Sequence, residues 1–203
     1  MGLPNFITLT RFIAIGAIAW FYLKGEFAWA LLALVYGGVS DVVDGTLARF
    51  LGQRTKLGAI LDPAADKTLM MVCYLTLAWA GQVPYWFAGL IILRDIYIVT
   101  GVFILKFRFK KIFIRPTYVS KMTTFFQIFF IGLTLTKSYL PFSNYDWMKD
   151  FSPFISVAWQ VSFYMTLLFT VASGIHYTLV GLAIYRGNLQ PQDPLSPVGR
   201  GLG

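Results

Sequence analysis

Four aspartates carry the chemistry open to this sequence. Among its nine acidic residues, Asp41 and Asp44 stand three positions apart and Asp62 and Asp66 four, so each pair lies on one face if its segment is helical. Gathering four carboxylates is unfavourable by mutual repulsion, and burial in a membrane worsens it, by about 2.5–3.5 kcal/mol for one charged Asp at the centre of a span and less near the interface. Hard divalent cations offset that cost, since oxygen donors suit Mg²⁺ or Mn²⁺. Soft-metal chemistry lacks ligands, because Cys73 and His176 are the sole residues of their kinds, and a lone cysteine excludes an internal disulfide. Small residues at Gly45, Ala48 and Gly58 let a backbone approach a ligand, and Arg49 can fork onto phosphate oxygens, with Lys67 nearby. The plain alternative, solvated helix caps and loop charges, would account for one acidic pair. It does not account for two pairs with these small and basic neighbours, which together suggest a metal-bridged polyphosphate.

The elements that must hold these residues are membrane helices. The chain has 203 residues, 57% apolar and 13% charged, against about 25% charged in an average soluble domain. Six stretches approach the roughly 20 apolar residues of a span: 6–23, 27–50, 63–80, 84–105, 119–136 and 154–185, the last long enough to begin with an interfacial turn. Gly25, Gly52, Gly81 with Pro84, Pro116 and the stretch 141–153 punctuate them. Asp62-Pro63 reads as a helix start, with Asp62 as N-cap and Pro63 at the first helical position. The expected fold is an all-α integral membrane protein, a six-transmembrane-helix bundle over 1–186, followed by a Pro-rich polar tail, 187–203, expected to be disordered. No internal repeat is visible.

An amino terminus in the cytoplasm puts Arg49, Arg54, Lys56 and Lys67 in one inner connection, and Lys106, Arg108, Lys110, Lys111, Arg115 and Lys121 in or beside another. Only Lys24, Lys137 and Lys149 remain outside. That imbalance places both termini in the cytoplasm, with Trp20, Trp79, Trp86 and Trp147 near outer boundaries. Met1–Asn5 is too short and neutral for a transit peptide, so the first span is expected to be retained. The net charge of +8 fits this topology, and no nucleic-acid-reading motif appears.

The pattern Asp41-x2-Asp44-Gly45-x2-Ala48-Arg49-x8-Gly58-x3-Asp62-x3-Asp66 resembles, without a departure, the motif of the CDP-alcohol phosphotransferases. Pro4-Asn5-x-Ile7-Thr8-x-x-Arg11 is similar to that family's opening motif. The resemblance implies a six-helix homodimer that displaces CMP from a CDP-linked lipid. It implies that Asp41, Asp44 and Asp62 hold two divalent cations, Mg²⁺ or Mn²⁺, and that Asp66 contacts metal and acts as the base. It implies a donor site drawn from Asn5, Thr8, Gly45, Ala48, Arg49, Thr55 and Gly58. An enzyme this apolar is expected to take CDP-diacylglycerol, at the cytoplasmic face of a bacterial-type inner membrane.

For the acceptor, Arg94-Asp95 and the segment from Arg115 through Ser120, Lys121, Thr123 and Thr124 to Gln127 look most like the CMP-forming cardiolipin synthases, whose acceptor is phosphatidylglycerol. Phosphatidylglycerophosphate synthases, which use glycerol 3-phosphate, resemble Gly-Lys-x-Lys-Thr-x-x-Gln here; Ser120 replaces the Gly and Thr123 the second Lys. A missing cation disfavours a phosphate monoester, leaving Arg94, Arg115 and Lys121 as acceptor contacts. Arg94 and Asp95 have a second reading, as charges pairing across the bundle. Lys106, Arg108, Lys110 and Lys111 read as a patch for anionic lipids, and His176 as bundle interior or lipid-facing surface. A divalent-cation carrier is the competing non-enzyme reading, but such sites sit near the midplane of repeated halves, and these aspartates gather at one face. An inactive scaffold would leave the phosphate-directed Gly and Arg positions without a role.

Overall fold

The computed structural model describes the backbone of residues 3–50, 58–109, 118–142 and 146–185, and the side chains of 13–38, 67–104, 118–142, 146–147 and 149–184. Among these residues the fold is all helical: α1 (Leu3–Leu23), α2 (Phe27–Phe50), α3 (Gly58–Trp79), α4 (Tyr85–Phe109), α5 (Tyr118–Tyr139), a 3₁₀ turn (Leu140–Phe142), the short α6 (Asp146–Asp150) and α7 (Ser152–Tyr185). Gly52, Arg54, Lys56, Lys110, Lys111, Pro116 and the tail 187–203 lie outside the described residues.

Two glycines end helices as the sequence suggests. Gly25 and Gly81 adopt φ of 78° and 71°, the left-handed region in which a side chain is strained. At α1 the Glu26 N–H donates to the Phe21 carbonyl (2.9 Å) and Gly25 N–H to Tyr22 (3.0 Å); at α3 Gln82 donates to Leu77 (2.9 Å) and Gly81 to Ala78 (3.0 Å). Both are Schellman closures, which satisfy carbonyls a helix end would otherwise leave bare. Pro84 then opens α4, its carbonyl accepting from Phe87 at 3.0 Å.

The start of α3 differs from expectation. The helix begins at Gly58, so Asp62 and Pro63 are its fifth and sixth residues rather than its cap and first turn position. A proline this near the amino end forfeits one main-chain bond, and the apolar run Ala59-Ile60-Leu61 extends the helix past it. At the other end of the chain the interfacial turn is a separate helix, α6, and α7 runs on unbroken for 34 residues.

α7 is amphipathic in the sense opposite to a soluble helix. Its buried stripe is Ser162, Thr166, Thr170 and Ser173; Phe154, Val157, Val161, Tyr164, Leu168, Val171, Ile175, Leu179 and Leu182 are exposed at helical spacing. Large apolar side chains facing outward over the whole length of a helix suit lipid, and small hydroxyl residues inside let helices approach closely. Three helices, Tyr85–Ile104, Tyr118–Phe142 and Ser152–Ile184, are long and apolar enough to cross a bilayer, among the described residues.

α5 packs most extensively on α7, α1 on α2 and α3, and α4 on α7 and α3. Side chains lock α5 to α7: Thr166 Oγ1 donates to the Phe126 carbonyl (3.1 Å) and Trp159 Nε1 to Thr134 Oγ1 (2.9 Å). A core of Tyr22, Tyr74, Phe87, Phe130, Ile131 and Leu135 fills one half of the bundle. Tyr22 meets Ser138 (3.0 Å) and Phe27 meets Phe142 (ring centroids 5.5 Å), so the ends of α1 and α5 and the start of α2 share one pole. The exposed Trp20, Trp79, Trp86 and Trp147 stand at this pole. Lys24 lies over Trp20, Lys137 over Trp159, and Lys149 pairs with Asp146.

Candidate active site

The opposite pole collects the residues singled out by the sequence. α2 ends there and α3 begins there. At 1.5 Å per residue Asp41 and Asp44 stand about 14 and 9 Å before the end of α2, and Asp62 and Asp66 about 6 and 12 Å after the start of α3. Connectivity alone therefore brings both acidic pairs to similar depth. Gly45, Ala48 and Arg49 follow on α2, Gly58 is the first residue of α3, and Asn5 and Thr8 lie in the first two turns of α1. The side chains of these residues, and all of Thr55 and Arg115, lie outside the described residues, as do the side chains of Lys106 and Arg108.

Lys67, the residue after Asp66, does not stand ready for a phosphate. Its Nζ donates to Asp95 Oδ2 at 2.8 Å, joining α3 to α4. The other oxygen of that carboxylate, Oδ1, accepts from Arg94 Nη1 at 2.6 Å. Arg94 Nη2 continues to Ser173 Oγ on α7 and, at 3.4 Å, to Ser120 Oγ on α5. Four helices thus meet in one network whose Arg94 and Asp95 are buried. The pairing reading of Arg94 holds. Arg94 Nε, however, has no partner among the described residues, and a buried N–H left unpaired costs about 1–3 kcal/mol. With Thr170, whose hydroxyl is likewise without a partner among the described residues, Arg94 lines a groove of about 420 Å³ between α4 and α7.

On α5, Lys121 is exposed, its ammonium 5.7 Å from the Tyr118 ring centre. Thr123 is fully buried, and its hydroxyl lies within reach of the Val119 carbonyl at 2.8 Å and the Phe169 carbonyl at 3.0 Å. Its one O–H is used inside the bundle. Gln127 is also fully buried; its main-chain carbonyl accepts from the Tyr74 hydroxyl (3.1 Å), and both polar atoms of its side-chain amide lack partners among the described residues. His176 is half-buried beside Tyr177.

Ser173 is absent from the residues singled out by sequence, whereas Asp95 and Gln127 stand in the acceptor pattern without a contact assigned to either. An Arg-Asp dipeptide inside an apolar span was the available signal for Asp95, because two charges there require partners. Nothing in the spacing points to Ser173.

Comparison with known proteins identifies the family. The family model for CDP-alcohol phosphatidyltransferase matches residues 1–182. A Schizosaccharomyces pombe protein named cardiolipin synthase (CMP-forming) / mitochondrial hydrolase fusion protein is 32% identical over 87% of this chain and 30% of its own length. A Homo sapiens protein named cardiolipin synthase (CMP-forming) is 27% identical over 80% of this chain and 60% of its own. One of the same name from Streptomyces coelicolor is 34% identical over 52% of each. The chain thus spans no more than 60% of the length of these relatives. With the motif on α2 and α3 and a match across nearly the whole chain, the protein belongs to the CDP-alcohol phosphatidyltransferase family.

Proposed function

We propose that this protein transfers the phosphatidyl group of CDP-diacylglycerol to a hydroxyl of phosphatidylglycerol, releasing CMP and forming cardiolipin. It works as a homodimer of six-span bundles, with both termini and the aspartate pole on the cytoplasmic side of a bacterial-type inner membrane. The polarity of the bundle supports that orientation: among the described residues Trp20, Trp79, Trp86 and Trp147 stand at one pole with Lys24, Lys137 and Lys149, and the motif lies toward the other.

Asp41 and Asp44 on α2 and Asp62 and Asp66 on α3 would supply an all-oxygen donor set, which fits Mg²⁺ or Mn²⁺. Cations held by these four carboxylates would supply positive charge against the diphosphate and the departing CMP. The protein's own groups do the rest. Gly45, Ala48 and Gly58 let backbone approach the nucleotide, while Arg49, Asn5, Thr8 and Thr55 orient it. Asp66 takes the proton from the acceptor hydroxyl; that oxygen bonds to the phosphorus bearing diacylglycerol, and the bond from that phosphorus to the CMP oxygen breaks. Arg94, Arg115 and Lys121 hold the acceptor phosphate.

One observation favours phosphatidylglycerol over glycerol 3-phosphate. Where the latter's synthases carry a second lysine, this chain has the buried Thr123, its hydroxyl spent on main-chain carbonyls. A phosphodiester needs less positive charge than a phosphate monoester. The family match leaves the cation-carrier reading without support. Purified protein with CDP-diacylglycerol and Mg²⁺ should release CMP when given phosphatidylglycerol and yield cardiolipin. Product with glycerol 3-phosphate alone would reverse the acceptor assignment.

A further inference from the structure

We propose that Asp95 is a positioning residue for the transfer: through Lys67 it fixes the turn of α3 that carries Asp66, and through Arg94 it fixes the guanidinium on the acceptor side. The inference rests on the reading of Asp66 as the base.

Asp95 divides its two oxygens between two cations from different helices. Oδ2 takes Lys67 at 2.8 Å and Oδ1 takes Arg94 at 2.6 Å, and the Arg94 guanidinium continues to Ser173 and Ser120. Lys67 is 39% exposed while Asp95 is 11% exposed, so a flexible, hydratable ammonium is drawn inward to a fixed carboxylate. That choice costs side-chain freedom, which a purely solvated lysine would keep.

The effect on chemistry follows from helix geometry. Consecutive residues on a helix are turned about 100° apart, so Lys67 ties one flank of α3 to α4 while position 66 belongs to the adjacent flank. A carboxylate about 6 Å from a helix axis moves about 1 Å when the helix turns by about 10°. Misplacement on that scale costs about 10²-fold in rate. A single link on the flank next to the base is therefore well placed to set its aim, and α4, packed on both α3 and α7, is the support it is tied to.

The test uses the full chain in mixed micelles with CDP-diacylglycerol, phosphatidylglycerol and Mg²⁺, following CMP release for Asp95→Asn, Asp95→Glu, Lys67→Met and Lys67→Met/Asp95→Asn. Lys67→Met and Asp95→Asn should each lower kcat about 10²-fold, with KM for CDP-diacylglycerol within about twofold of wild type. Only Asp95→Asn should raise KM for phosphatidylglycerol, because Lys67→Met keeps the Arg94–Asp95 pair. The double variant should be no slower than the slower single one, and Asp95→Glu should recover at least about a tenth of wild-type kcat. Wild-type kcat in Lys67→Met, losses that multiply in the double variant, or a lower folded fraction with unchanged turnover per folded molecule would each overturn the proposal. Should Asp95→Asn fail to fold, Lys67→Met decides alone. A wild type that releases no CMP overturns the function itself; an active wild type with an unaffected Lys67→Met overturns the positioning role only.

Discussion

Arg94→Met should destabilise the bundle by about 3 kcal/mol, whereas Arg94→Lys should cost only about 1 kcal/mol. The guanidinium makes one charge-assisted bond to Asp95 and reaches Ser173 and Ser120. Polar contacts between membrane helices average about 0.6 kcal/mol, so loss of the two serine contacts comes to about 1 kcal/mol. Breaking a buried ion pair by deleting one partner costs about 3–5 kcal/mol, because the surviving charge is stranded. Here Asp95 keeps Lys67, which points to the low end of that range. Lysine retains the charge beside Asp95 and loses the serines, hence the smaller penalty. Methionine keeps most of the apolar stem, so packing is nearly constant between the variants.

The assay is reversible unfolding in mixed micelles as the fraction of denaturing detergent rises, read by tryptophan fluorescence. A third variant sharpens it: Arg94→Met/Asp95→Leu should regain most of the lost stability, since replacing both partners by apolar groups removes the stranded carboxylate. Lys67, partly exposed, can turn its ammonium to water. Arg94→Met within about 1 kcal/mol of wild type, or a double variant no more stable than the single one, would refute the reasoning.

Other outcomes follow from the same structure. Asp66→Asn should lower CMP release by at least about 10²-fold while CDP-diacylglycerol still binds, as checked by equilibrium binding of labelled donor. A chelator should abolish turnover, and added Mg²⁺ or Mn²⁺ should restore it, in the CMP-release assay. Gln127→Met should raise thermal stability by about 1–3 kcal/mol, because it removes a buried amide without partners among the described residues; an unchanged or lower unfolding midpoint would show that the amide is satisfied. Thr123→Lys should destabilise the protein rather than confer use of glycerol 3-phosphate, since a fully buried position would receive an ammonium.

The sequence makes the helix ends legible where punctuation and periodicity agree. Gly25 and Gly81 each stop an apolar run and occupy the left-handed turn that only glycine adopts freely, so α1, α2 and α4 begin or end within a few residues of expectation. Pro63 misleads because its missing N–H suits a first helical position; in the fold the apolar residues before it carry the helix back to Gly58. The five residues of α6 are too few to show a period. The aspartates stand out in the sequence because their spacing is local, and the structure carries the two pairs on consecutive helices. The bond from Lys67 to Asp95 is not, since it joins residues on two helices whose relative rotation the spacing leaves open.

Packing makes the tryptophan half of the bundle rigid. The largest buried side chains, Tyr74, Phe87 and Phe130, stack toward the tryptophan pole. Along the helices, hydroxyls are consumed locally: Thr134 and Thr136 return to the carbonyl four residues back at 2.8 Å each, as does Thr178. Such bonds leave few polar groups free to choose among partners, which fixes one arrangement of the bundle. The charged network of Arg94, Asp95 and Lys67 lies between that rigid half and the aspartates. Because it ties α3 to α4, α5 and α7, a carboxylate carried by α3 is held more precisely than one carried by a loop, which is what a proton-accepting group at a reacting centre requires.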